Sequence, residues 1–146
     1  MAEGVFRRQV ADAGLADRIT VDSAGTHDYH VGSKPDQRAQ KIAATRGYDL
    51  SKQFGRQVIR RDFVEYDYVL AMDAINMKYL ARLCPPENAH KLRLLMAFGR
   101  GSVAREVPDP YYGSTSDFEG VLDLVEEASQ GLLNHIRVQL GDFSKR

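Results

Sequence analysis

The run Tyr68–Met72 (Tyr-Val-Leu-Ala-Met) narrows the possible folds more than any other segment of this chain. It is apolar throughout, lies between Asp67 and Asp73, and is too short for a helix. Such a run suits a strand covered on both faces, the kind that parallel sheets contain. Helical patterns flank it: a short stretch closing over Phe63–Asp67 before it, and Ala74–Leu83 after it, ended by Pro85 and Pro86. Upstream, the β-branched, alternating Ile19–Ala24 reads as a second strand. It follows a helix over Met1 to about Ala13 that Gly14 stops, and precedes a helix opened by Pro35 and closed by Gly47. Lys91–Phe98 fits either a strand or a short helix. Strands alternating with helices predict an α/β fold with a mainly parallel sheet. The 146 residues predict a single domain over 1–146.

The two terminal helices differ in how they begin. The last opens with Ser116-x-x-Glu119, a capping box that satisfies free backbone donors, and continues with an apolar stripe of Phe118, Val121, Leu122, Val125, Leu132, Leu133 and Ile136. The first has Val5, Phe6, Val10 and Ala13 on one side but no capping residue ahead of it. Its free amino group falls at the positive end of the helix dipole, an unfavourable place.

Composition excludes several classes. Lys plus Arg and Asp plus Glu number 20 each, so no field of one sign predicts a nucleic acid or an anionic membrane as partner. The amino terminus has charges throughout and no apolar core of a signal peptide, and no stretch approaches the ~20 apolar residues of a membrane span. Cys84 is the one cysteine, which excludes an intrachain disulfide and fits a reducing, cytoplasmic setting. His27, His30, His90 and His135 are too scattered for a metal site by spacing.

The segment most informative about chemistry is Glu106-Val107-Pro108-Asp109-Pro110-Tyr111-Tyr112-Gly113. Flanking prolines stiffen the backbone at Asp109 and keep it out of a helix or central strand. A rigid loop presenting one carboxyl beside two aromatic rings suits protonation of a phenolate leaving group, with the rings walling its aromatic ring. A Pro/Asp turn whose tyrosines merely cover the core fits these residues as well.

Asp109-Pro-Tyr-Tyr-Gly, with the helix start over residues 114–119, resembles the low-molecular-weight protein tyrosine phosphatases. Further stretches agree in order: residues 1–6, Asp22-Ser-Ala-Gly-Thr26, Val31-Gly32, Pro35-Asp-x-Arg-Ala39, Arg56-Gln-Val58, Asp62-Phe63 and Leu70-Ala-Met-Asp73-x-x-Asn76. The resemblance implies a three-layer α/β/α, flavodoxin-like fold with a four-stranded parallel sheet. It implies hydrolysis of a phosphotyrosine protein or a small aryl phosphate through a cysteinyl-phosphate intermediate, with no cofactor. By position, Asp109 is implied as the general acid, and Tyr111 and Tyr112 as pocket tyrosines. Tyr29 is implied as the opposite wall and His30 as a neighbour that varies with substrate preference. Ser23 is implied as a serine bonded to the phosphate loop and Asp73 as a buried acid near the site; capping after a strand is the plainer role for both.

The family's Cys-x5-Arg-Ser/Thr loop has no counterpart here: the helix that should follow it begins at Met1, and no Cys-x5-Arg occurs elsewhere. Cys84, at a helix end before two prolines, has no glycine-rich turn and no arginine at that spacing, and reads as structural. The expectation is therefore a chain incomplete at its amino terminus, without the first, central strand and its loop. Such a chain should be unstable and inactive by itself. A non-catalytic phosphotyrosine-binding or regulatory remnant is the rival reading. Arsenate reduction, which needs several redox cysteines on this fold, is rejected.

Overall fold

In a computed structural model, the structure describes residues 1–27, 32–99 and 115–141, with only the backbone at 115–117. Helix α1 spans Ala2–Asp12 and buries Gly4, Val5, Phe6 and Val10 on one face. Gly14, at φ 73°, then turns the chain through a conformation that side chains with a Cβ rarely adopt. No side chain caps the start of α1. Burial pushes the Met1 ammonium below its ordinary pKa, with Glu3 opposing. Helix α2, Gln37–Thr45, starts after Pro35 as expected: the Asp36 carboxylate caps it by accepting from Arg38 N–H at 2.7 Å.

Helix α5, Thr115–Gln139, is the spine of the main core. Every member of its expected stripe is buried, from Phe118 to Ile136, together with Ala128 and Ser129. They pack with Val5, Phe6, Val10, Leu15, Ala39, Ile42, Leu95 and Met96. At roughly 1.5–3 kcal/mol per large apolar side chain fully buried, this cluster is the largest favourable contribution to the fold. Helix α5 comes so close to the 3-10 turn Leu95–Phe98 that a Cβ at Gly131 would lie 1.9 Å from the Phe98 carbonyl oxygen. The capping-box side chain of Ser116 and the loop 107–114 lie outside what is described.

A short helix α3, Asp62–Glu65, leads into strand β1, Val69–Ala71. Helix α4, Ala74–Leu83, leads through a 3-10 turn into strand β2, Leu92–Leu94. The two strands pair in parallel, in the register Val69–Leu92, Leu70–Arg93, Ala71–Leu94. Lys91–Phe98 is thus both things it could have been, strand and then 3-10 turn. Val58, Phe63, Ala71 and Leu80 form a second, smaller core under this unit.

Two expectations need correction. Val69 and Leu70 are half-buried rather than covered on both faces, and among the described residues β1 has a strand partner along one edge. Ile19–Ala24 is not a strand: among the described residues no ladder forms along it, and an isolated parallel bridge, Gly25 to Gln57, follows. Alternation of side chains suits a strand, but a strand also needs a hydrogen-bonded neighbour.

Candidate active site

Five of the residues singled out from the sequence, Tyr29, His30, Asp109, Tyr111 and Tyr112, lie outside the described residues. Ser23 and Asp73 lie within them; of the two, Ser23 lines the cavity described next. A cavity of about 590 Å³ opens between α1, residues 21–27 and β1, and Ser23, Thr26, Arg56, Met72 and Asn76 are among its lining residues.

Ser23 is exposed and caps no helix. Its hydroxyl donates to Glu3 Oε1 at 2.5 Å, and its N–H donates to Asp22 Oδ1 at 2.8 Å. Glu3 also accepts from Arg7, whose other contact is the Val21 carbonyl oxygen at 2.6 Å. The oxygen of Ser23 can still accept bonds, but its proton is engaged by α1. Asp73 is half-buried rather than buried. Its extended backbone and its bond from Asn76 N–H at 2.7 Å make it the N-cap of α4. Of the two roles considered for it, the cap is the one the geometry supports.

Sequence reasoning assigned no role to the residues that organise this region. Arg56 donates through both terminal nitrogens to the Asp62 carboxylate, at 3.0 and 3.2 Å, and through Nε to Asp22 at 3.1 Å. Asp62, nearly buried, also accepts the N–H of Ile59 at 2.9 Å. Tyr66 donates to Asp22 at 3.3 Å. The bond to Asp62 raises the Arg56 pKa most; burial opposes and the Asp22 charge adds. Burial, then the charge of Asp22, pushes the Tyr66 phenol up. Backbone bonds run alongside, from Gly25 N–H to the Arg56 oxygen and from Val58 N–H to the Gly25 oxygen, both 2.8 Å.

Together these ties fasten residues 22–25 to residues 56–62, on the segment that leads towards Tyr29. With two carboxylates already on it, Arg56 is a brace and not a free anion-binding group. The cue available in the sequence was a charge pair, Arg56 and Asp62, flanking and interrupting an otherwise apolar neighbourhood of Val58, Ile59, Phe63 and Val64. Their pairing needed the turn between them.

Cys84 behaves as expected of a structural residue. Its thiol donates to the Pro85 carbonyl oxygen at 3.3 Å. Burial, aided by the charge of Glu87 and opposed by Lys91, pushes its pKa up, away from a reactive thiolate. Among the described residues, no group of three His, Cys, Asp or Glu side chains is placed to hold a metal. No helix among them is long and apolar enough to cross a membrane.

Comparison with known proteins decides the family. The profile described as low molecular weight phosphotyrosine protein phosphatase matches residues 1–141. The chain belongs to the low-molecular-weight protein tyrosine phosphatases. It is 43% identical over 143 residues to a low molecular weight protein-tyrosine-phosphatase of Streptomyces coelicolor, covering 96% of this chain and 87% of that one. The structure resembles a protein tyrosine phosphatase of Entamoeba histolytica with Hepes in its active site, at TM-score 0.90 and 34% identity, covering 97% and 89% of the two chains. It resembles YfkJ of Bacillus subtilis at TM-score 0.88 and 34% identity, covering 94% and 86%.

These relatives place the chain among phosphatase enzymes with an α/β fold and a parallel sheet. They do not support the expectation of an incomplete amino terminus or of a missing central strand, since the family match runs from residue 1 and the S. coelicolor relative aligns with 96% of this chain.

Proposed function

We propose that this chain carries the acid side of a phosphotyrosine phosphatase site, acting on a phosphotyrosine protein or a small aryl phosphate in the cytoplasm. The family match over residues 1–141, which spans Asp109-Pro-Tyr-Tyr, is the observation that carries this reading. In the reaction, a cysteine thiolate attacks phosphorus and the bond from phosphorus to the tyrosyl oxygen breaks. Asp109 gives its proton to that oxygen as it leaves. The Asp109 carboxylate then takes a proton from water, whose oxygen attacks the cysteinyl phosphate and releases inorganic phosphate and the thiolate. Tyr111 and Tyr112 wall the substrate ring on one side and Tyr29 on the other, with His30 tuning substrate preference. Ser23 supports the phosphate loop from beside Glu3, and Asp73 fixes the start of α4 next to it.

Cys84 is not the thiolate of this scheme. It is held by Pro85, its pKa is raised, and position 90 is His90 where the motif needs arginine. The nucleophile is therefore not among these 146 residues, and the polypeptide by itself does not turn over substrate. The test is to join a Cys-x5-Arg-Ser strand-and-loop segment of a relative ahead of residue 1 and measure hydrolysis of 4-nitrophenyl phosphate. Turnover should appear, survive Cys84→Ser, and fall ~10²–10⁴-fold with Asp109→Asn. A well-folded fusion without turnover, or with turnover indifferent to Asp109, sinks the assignment.

The carbonyl-bound Cys84 thiol also favours a second reading, a non-catalytic phosphotyrosine-binding remnant. Titration calorimetry with a phosphotyrosine peptide separates the two. Micromolar binding by the 146 residues, lost in its unphosphorylated form, supports the remnant.

A further inference from the structure

Helix α4 presents two different faces. Met77, Leu80 and Leu83 pack with the smaller core around Val58, Phe63 and Ala71. Ile75, Lys78, Tyr79 and Arg82, spaced i, i+3, i+4 and i+7, share another face. Ile75 is 75% exposed, the most of the large apolar side chains described. Lys78 and Arg82 are exposed, and among the described residues neither is in an ion pair. Tyr79 is half-buried, and its ring lies 6.0 Å from that of His27. Asp73, the acid at the start of this helix, is engaged as its N-cap. The face begins at the candidate site. Helix α4 follows the carboxyl end of β1, the end at which open parallel α/β sheets bind ligands. Ile75 and His27 line the same cavity as Ser23, and His27 stands two positions before Tyr29 in the chain. Lys78, Tyr79 and Arg82 do not line it, so the strip leads outward from the cavity. From 75 to 82 the helix rises ~10 Å, the length of about three residues of extended peptide.

We propose that this face of α4, together with His27, is an exosite for the protein substrate. It holds the segment beside the phosphotyrosine and selects one that is apolar next to the phosphotyrosine and acidic beyond it. The exosite rests on the function proposed above and narrows its substrate class. Ile75 and the His27–Tyr79 pair offer apolar and aromatic surface at the cavity, which suits an apolar side chain directly beside the phosphotyrosine. Lys78 and Arg82 lie one and two turns further along the helix, where they suit carboxylates on the residues that follow. A small aryl phosphate is too short to reach either cation, so the exosite separates protein substrates from small ones. A strip one helix face wide matches an extended peptide rather than a membrane surface.

The probe is a phosphotyrosine peptide with leucine on each side of the phosphotyrosine and glutamates beyond, added to the isotope-labelled full chain. Amide resonances of residues 75–82 and of His27 should shift with peptide concentration. A peptide with lysines in place of the glutamates should bind at least tenfold more weakly, and added salt should weaken the acidic peptide. Lys78→Glu combined with Arg82→Glu should invert the preference between the two peptides. Ile75→Glu should weaken the acidic peptide at least tenfold. All three positions are exposed, and circular dichroism checks that the variants fold. No shift in 75–82 at millimolar acidic peptide, equal binding of the two peptides, or a preference unchanged by charge reversal overturns the proposal. So do shifts in 75–82 produced by phosphatidylserine vesicles and not by the peptide, since the strip then serves a membrane. None of these outcomes touches the phosphatase reading, which turnover of 4-nitrophenyl phosphate by the joined protein decides.

Discussion

Arg56→Met is the most informative single change, because it tests whether the brace between residues 22–25 and 56–62 is structural. The substitution keeps most of the apolar stem and removes the charge. Asp62, whose side chain is 10% exposed, is left with the Ile59 N–H as its one remaining donor of those described. Removing one partner of a fully buried pair costs about 3–5 kcal/mol. Arg56 is 34% exposed, so water screens part of that, and about 2 kcal/mol is the expected loss. For a chain of 146 residues that is a fall of about 4–8 °C in Tm. Urea unfolding of wild type, Arg56→Met, Asp62→Asn and the double variant gives the coupling energy directly. It should be about 1–2 kcal/mol at unchanged m-value. The exposed i,i+4 pair Arg61–Glu65 is the internal control and should couple by less than about 0.5 kcal/mol. Equal couplings for the two pairs, or an Arg56–Asp62 coupling below about 0.5 kcal/mol, would refute the argument that burial makes this network matter.

Other predictions follow from single features. Gly131→Ala should destabilise by about 1–3 kcal/mol, because the new Cβ meets the Phe98 carbonyl. Gly120→Ala on the same helix, with open space around it, should stabilise by about 0.5–1 kcal/mol in the same denaturation assay. Burial, reinforced by its bond to Glu126 and that residue's charge, pushes the Tyr48 phenol from 10.0 up to about 12. A raised folded-state pKa means stability that is complete below pH 10 and lost as pH rises towards about 12. Absorbance titration near 295 nm should show a late tyrosine component that Tyr48→Phe removes. Iodoacetamide should alkylate native Cys84 with a midpoint above that of an ordinary thiol, and urea-unfolded chain should restore the ordinary value.

Much of this fold is legible in the sequence where periodicity and a local terminator coincide. The α5 stripe, the stop of α1 at Gly14, the start of α2 after Pro35 and the span of α4 all follow from residues a few positions apart. Ile19–Ala24 fails for the opposite reason: its pattern is right for a strand, but pairing depends on residues elsewhere in the chain. The site shows the same division. Asp73 as a cap is local and readable from the strand before it and the helix after it. The Ser23–Glu3 bond spans 20 residues and the Arg56–Asp22 pair spans 34, and no local pattern encodes either. Asp109, Tyr111 and Tyr112 lie outside the described residues, and their roles rest on the resemblance of Asp-Pro-Tyr-Tyr-Gly to the family's string.

Phosphate release from 4-nitrophenyl phosphate by the purified 146-residue polypeptide, with Asp109→Asn and Cys84→Ser in parallel, tests the central claim most directly. The account predicts no turnover above buffer for any of the three, because the Cys84 thiol is bound to the Pro85 carbonyl and has no arginine at the motif's spacing. Robust turnover by the unaltered chain, abolished by Asp109→Asn or by Cys84→Ser, would contradict it.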